Sequence, residues 1–94
     1  MIIAVDFDDT LCVNGAPNIP LIQKLKQAQR SGSVVILWTC RDGARLSEAI
    51  SFLKTNGFVP NAVNCNTPES IRRLGHDSRK IFADIYIDDK AIPR

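Results

Sequence analysis

Three carboxylates stand close together near the start of the chain, in Asp6-Phe7-Asp8-Asp9-Thr10, directly behind the apolar run Met1-Ile2-Ile3-Ala4-Val5. An unbroken apolar run of this length reads as a strand buried on both faces, as in a parallel sheet. Acids at the mouth of such a strand repel one another; at roughly 4 Å a single pair costs about 4 kcal/mol in a protein-like dielectric. A bound cation, a shared proton or nearby basic side chains relieve that cost. A hard divalent cation with oxygen ligands, Mg2+ above all, fits best, because no His or Cys cluster of metal-ligand spacing accompanies the acids. In a continuing strand, Asp6 and Asp8 would face the same side. An acidic turn that only caps the next element is the plainer alternative, but unpaired acids seldom occupy buried positions.

The rest of the chain supplies the elements that must position these acids. Leu11 to Pro20, with Asn14-Gly15 and Pro17, reads as a loop. Leu21, Ile22, Leu25 and Ala28 recur at helical spacing from a start near Pro20 to an end at Ser31-Gly32. Val34 to Trp38 is a second apolar strand, followed by Thr39-Cys40-Arg41-Asp42-Gly43. Asp42 suits the N-cap of a helix carrying Leu46, Ala49, Ile50 and Leu53 on one stripe, closed by Asn56-Gly57. Phe58 to Cys65 reads as a third strand, at a sheet edge because of Pro60. In the least regular stretch, Thr67-Pro68-Glu69-Ser70 reads as a helix start, Gly75 as an interruption and Ser78 to Phe82 as a short helical turn. Asp84 to Ile87 is a fourth strand, ending in Asp88-Asp89-Lys90. Strands alternating with helices predict an α/β fold with a parallel sheet of about four strands, in a single domain over residues 1–94. Such sheets bind ligands beyond the carboxyl ends of their strands. That edge would gather Asp6, Asp8, Thr39, Asp88 and Asp89. Thr39, with Cys40 and Arg41 behind it, offers a hydroxyl and backbone N–H groups at a helix start, an anion site, and Lys80 a charge within reach. A hard metal, an anion site and a spare carboxylate together suggest phosphoryl transfer to an Asp nucleophile.

At this point the chain resembles the haloacid dehalogenase superfamily of Mg2+-dependent phosphatases. The resemblance rests on Asp-x-Asp-x-Thr at Asp6 to Thr10 with Leu11 behind it, on Thr39 ending the next strand, on Lys80, and on the acidic pair Asp88-Asp89. It spans residues 2–90. It implies a small, three-layer, Rossmann-like core of the capless type, because the two gaps where larger members insert a cap are short here. It implies that Asp6 is the nucleophile forming an aspartyl-phosphate. Asp8 would be the general acid, then base, and would give its backbone carbonyl to Mg2+. Thr39 would hold the phosphoryl oxygens, and Lys80 would neutralise charge on Asp6. The metal site would draw on Asp6, Asp8, Asp88 and Asp89. Asp89 is expected as the direct ligand and Asp88 as the group orienting Lys80 or a metal-bound water, with the opposite assignment open. Asp8 must hold a proton for part of the cycle, so its side chain should avoid the metal. The fifth strand usual in that family has no counterpart before Arg94, which leaves strand four as an edge open to a second copy.

Composition bounds the partners. With 45% hydrophobic and 23% charged residues and a net charge of +2, the chain has the make-up of a globular protein and no general claim on polyanions or membranes. No apolar run approaches the length of a membrane span, and no signal peptide is legible. The three cysteines, Cys12, Cys40 and Cys65, match no disulfide or zinc pattern and read as reduced thiols. Together these predict a cytoplasmic enzyme. Its expected partner is a phosphorylated substrate, a sugar phosphate or a nucleic-acid end, with nucleic acid entering only as substrate. Arg41 is evenly balanced between a phosphate clamp and a surface charge. Arg72-Arg73, His76 and Arg79-Lys80 read as a solvated basic loop, with a site for a polyanion or a second phosphate as the alternative, and Trp38 reads as core, although its place before Thr39 could put it near the site. The rival reading is a catalytically silent metal- or phosphate-binding module. A receiver-like phosphoacceptor is disfavoured, because strand three ends in Asn64-Cys65-Asn66 with no acceptor Asp.

Overall fold

The computed structural model describes residues 1–90. Its centre is a four-stranded parallel sheet built from β1 (Ile2–Val5), β4 (Val34–Leu37), β5 (Ala62–Val63) and β6 (Ile85–Ile87), in the order β5-β4-β1-β6. β1 and β4 are the two central strands, and their apolar runs are buried accordingly. Val5 lies between Leu37 and Ile87, and Ala4 between Ile36 and Tyr86.

Alternation along the strands sorts the side chains into two faces. Ile3, Val5, Val35 and Leu37 form one core with Ile22 and Leu25 of α1 (Ile19–Arg30) and Ala49 and Leu53 of α2 (Gly43–Thr55). Each fully buried side chain of this kind contributes about 1.5–3 kcal/mol. Asn18 caps α1, its Oδ1 accepting from the Leu21 N–H at 3.4 Å. Asp42 takes the N-cap position of α2 in extended conformation but makes no side-chain capping bond. The opposite face of the sheet is covered more thinly. There the seven-residue α3 (Pro68–Leu74), opened by Thr67 and closed by Gly75 in left-handed conformation, runs into the segment carrying buried Ile81. Helices on both faces of a parallel sheet give the three-layer, Rossmann-like, capless arrangement predicted from the sequence.

Three local expectations are corrected. The stretch after the acids is a hairpin of β2 (Cys12–Val13) and β3 (Ala16–Pro17), not a loop. Its turn residues Asn14 and Gly15 have φ of 53° and 77°, the pair of positive values that a two-residue hairpin turn requires. The third strand shrinks to Ala62–Val63, because the Asn61 side chain takes the next strand bond, its Oδ1 accepting from the Val35 N–H at 2.8 Å. It is an edge strand, as Pro60 predicts. Residues 78–82 form no helical turn. Asn66, 1% exposed, holds them instead: its amide nitrogen donates to Asp77 Oδ1 and to the Ser78 carbonyl, and its oxygen accepts from the Phe82 N–H. Among the described residues there is no fifth parallel strand, so β6 is the other edge. No helix among them is long and apolar enough to cross a membrane.

Candidate active site

The Asp6 N–H donates to the Ile87 carbonyl at 3.0 Å and so extends the β1 ladder by one residue. There the chain turns tightly. The Phe7 carbonyl accepts from the N–H groups of Thr10, Leu11 and Cys12, and Asp9 sits at a φ of 62°. The turn disperses the three neighbouring acids. Asp6 stays on the sheet edge, Asp9 is exposed, and the Asp8 carboxylate is carried to Arg41.

The acids that do meet come from opposite ends of the sequence. Asp6, Asp88 and Asp89 each present a carboxylate oxygen within 4.8 Å of the others. With Trp38, Thr39, Cys40 and Lys90 they line an open cavity of about 370 Å³. The register explains the meeting: Asp6, Trp38 and Asp88 follow Ala4, Ile36 and Tyr86 at two-residue spacing and so share one face. Partial burial raises the Asp6 pKa above the usual carboxylate range, and the charges of Asp88, Asp89 and Asp8 add to the rise against the Phe7 N–H. The Lys90 N–H, 2.9 Å from Asp88 Oδ1, holds Asp88 below that range, while the Asp88 carboxyl pushes Asp89 above it.

Asp8 has a different environment. Arg41 grips it bidentately, Nη2 to Oδ1 at 2.8 Å and Nε to Oδ2 at 3.0 Å. The guanidinium lies 4.7 Å over the Phe7 ring, and Nη1 donates to the Arg45 carbonyl. These bonds lower the Asp8 pKa and raise that of Arg41. Arg41 is thus neither a free phosphate clamp nor a surface charge; its partner is Asp8. Of the four predicted metal-site residues, Asp6, Asp88 and Asp89 come together, and the Asp8 carboxylate stays apart, paired with Arg41.

Thr39 reaches the cavity as predicted. Its N–H is taken by Asn64 Oδ1 at 2.8 Å, and its Oγ1 accepts from the Arg41 N–H at 3.2 Å, which leaves the hydroxyl proton for an anion. Cys40 lines the cavity. Lys80 is exposed and lines neither this cavity nor the one beside it. The cation at the acids is Lys90, which directly follows the pair in the sequence and was legible on that ground; Arg79 lines the neighbouring cavity.

The donor set suits a hard divalent cation. Three oxygen ligands converge without nitrogen or sulfur, and partly buried Asp6 lacks a hydrogen-bonded cation among the described residues to balance it. Asp6, Asp88 and Asp89 are the residues that would hold it.

Fold and site together define an α/β protein with an acidic centre at the carboxyl edge of its sheet, the edge where such folds bind ligands. The solved structure of a conserved protein from Bacteroides thetaiotaomicron matches all of this chain and 82% of its own, with 36% sequence identity and a TM-score of 0.83. The chain belongs to the family of that conserved protein. No family model and no curated protein matches the sequence.

Proposed function

We propose that this protein is a Mg2+-dependent phosphohydrolase of the haloacid dehalogenase type, cleaving phosphomonoesters through an aspartyl-phosphate on Asp6, in the cytoplasm. The observation that carries this reading is the convergence of Asp6, Asp88 and Asp89 beside Thr39 in one open cavity. The ion, when bound, supplies positive charge that keeps Asp6 ionised and offsets charge on the phosphoryl oxygens. An Asp6 oxygen attacks phosphorus while the bond to the ester oxygen breaks, and the Thr39 hydroxyl donates a hydrogen bond to a phosphoryl oxygen. Lys90 adds a positive charge at the same cavity, the part expected of Lys80. The departing ester oxygen takes the proton of an Asp8 that enters the cycle protonated and released from Arg41, and Asp8 regains that proton in the second half. In the second half Asp8 accepts a proton from water as the water oxygen attacks the phosphorus, and Asp6 is released as carboxylate.

Two observations favour the rival reading, a metal- and phosphate-binding module without turnover. The Asp8 carboxylate is occupied by Arg41, and Lys80 stands outside the cavity. Hydrolysis of a generic aryl phosphate, with Mg2+ or with EDTA, separates the two. Metal-dependent turnover that disappears in Asp6→Asn is the expected result. A folded native protein that binds Mg2+ and turns nothing over selects the module.

A further inference from the structure

Trp38 does not sit in the core. It is 36% exposed, at the exit of β4, one residue before Thr39. Its indole leans on Tyr86, with ring centroids 5.5 Å apart and planes at 55°. Tyr86 is itself fixed, its hydroxyl donating to the Ile81 carbonyl and accepting from the Ala83 N–H. A large aromatic side chain, braced from behind and left open to solvent, stands beside the acids. Trp38 and Thr39 also line a second cavity of about 360 Å³, whose other walls are Asn64, Asp77 (its Oδ1 held by Asn66), Ser78, Arg79 and Ile81. The two cavities share Trp38 and Thr39 and so adjoin, a groove in two parts with the acids in one and a polar chamber in the other.

The chemistry of the chamber narrows what it takes. The Arg79 guanidinium has no hydrogen-bonding or ionic partner among the described residues, and Asn64 uses only its oxygen, on the Thr39 N–H. Donors free for a ligand beside an exposed indole suit a flat ring with hydrogen-bonding edges better than a plain phenyl ring or a sugar alone. Each cavity falls in the size range of small-molecule sites, about 300–1,000 Å³.

We infer that the groove binds nucleoside monophosphates, with the base stacked on Trp38, its edge in the Asn64–Arg79 chamber and the phosphate at Thr39 and the acids. This rests on the phosphohydrolase reading only for the fate of the bound phosphate; the binding itself does not require turnover.

Trp38 is the only tryptophan in the chain, so its fluorescence reports the contact directly. The probes are the four ribonucleoside 5′-monophosphates, with ribose 5-phosphate and inorganic phosphate as baseless controls, all with Mg2+. Saturable quenching by nucleotides, at concentrations where ribose 5-phosphate gives none, is the expected result. By calorimetry, Trp38→Leu should bind nucleotides roughly 5- to 150-fold more weakly, the range for losing one base-stacking contact. Its affinity for inorganic phosphate should be unchanged, and Trp38→Phe should recover most of the nucleotide affinity. Equal affinity for ribose 5-phosphate and nucleotides overturns the inference, as does a Trp38→Leu variant that changes self-association and leaves nucleotide binding intact. Nucleotide binding without hydrolysis upholds the inference and removes the phosphatase. Hydrolysis of an aryl phosphate that depends on Asp6, without nucleotide preference, does the reverse.

Discussion

Asp6 and Asp8 lie two positions apart and have opposite electrostatics. Burial and neighbouring acids raise the Asp6 pKa, so the folded chain holds that proton more tightly than the unfolded chain does. Ionising Asp6 therefore costs stability as pH rises through its folded pKa. At pH 7 in EDTA, Asp6→Asn should melt above the native protein, and the gap should close near about pH 3, where both states are protonated. A variant that melts lower at pH 7 would mean that Asp6 is already compensated without a metal. Asp8 runs the other way. Arg41 lowers its folded pKa, so its contribution is present above the unfolded value of about 3.9 and is lost as pH falls through the folded value. Arg41→Met keeps a long stem on Phe7 and removes the pair. It should lose at most about 1 kcal/mol at pH 7, because the Asp8 side chain is half exposed, and the loss should shrink below pH ~4 in parallel urea titrations.

Among the elements, the turn after β1 shows what sequence pattern conveys and what it conceals. The acids announce a site, but the run of carboxylates does not say that the turn breaks them apart. That follows from the Phe7 carbonyl gathering three N–H groups, a tertiary choice with no one-residue signature. The hairpin behind it was legible in Asn14-Gly15, whose dipeptide is a hairpin signal; the shortness of its strands made the stretch look like a loop. Helices α1 and α2 were plain, because their apolar stripes have the helical period. The 76–82 segment was opaque because Asn66, ten and more residues upstream, dictates its shape. Two substitutions test the turn. Asp9 has a positive φ that glycine adopts freely, so Asp9→Gly should leave the proposed metal-dependent turnover in place without lowering the melting temperature. Thr10 Oγ1 is buried without a partner among the described residues, so Thr10→Val should be neutral or gain about 1 kcal/mol in chemical denaturation. A clear loss in Thr10→Val would reveal a partner for the hydroxyl, a bound water for example.

On the scale of the whole molecule, the acidic centre joins the two ends of the chain. β1 and β6 are neighbours in the sheet although some eighty residues separate them, and their tips carry Asp6 and the Asp88-Asp89 pair. Parallel topology made this meeting legible from the sequence, since every strand must deliver its C-terminal residues to one edge. The Asp8–Arg41 pair and the groove beyond Trp38 were not legible, because they depend on side-chain directions that strand order leaves open. Among the described residues β6 is a short edge strand held on one side only, and without a cation its tip is pressed against the like charge of Asp6. A divalent cation bound between the tips should therefore act on global stability, not only on the site. Mg2+ at a hundred times its Kd should add about 2.7 kcal/mol. At about 4–8 °C per kcal/mol for a domain of this size, that is a rise in melting temperature of roughly 10–20 °C. Asp89→Asn should lose most of that rise while melting, without Mg2+, no lower than the native chain, because it removes one of the repelling charges. Thermal scans of both proteins over a Mg2+ series, with Ca2+ and NaCl at matched ionic strength, check this. A rise that NaCl reproduces would be charge screening at an open acidic surface. A rise specific to the divalent ions and lost in Asp89→Asn would mean that the two ends of the chain are clasped by a metal.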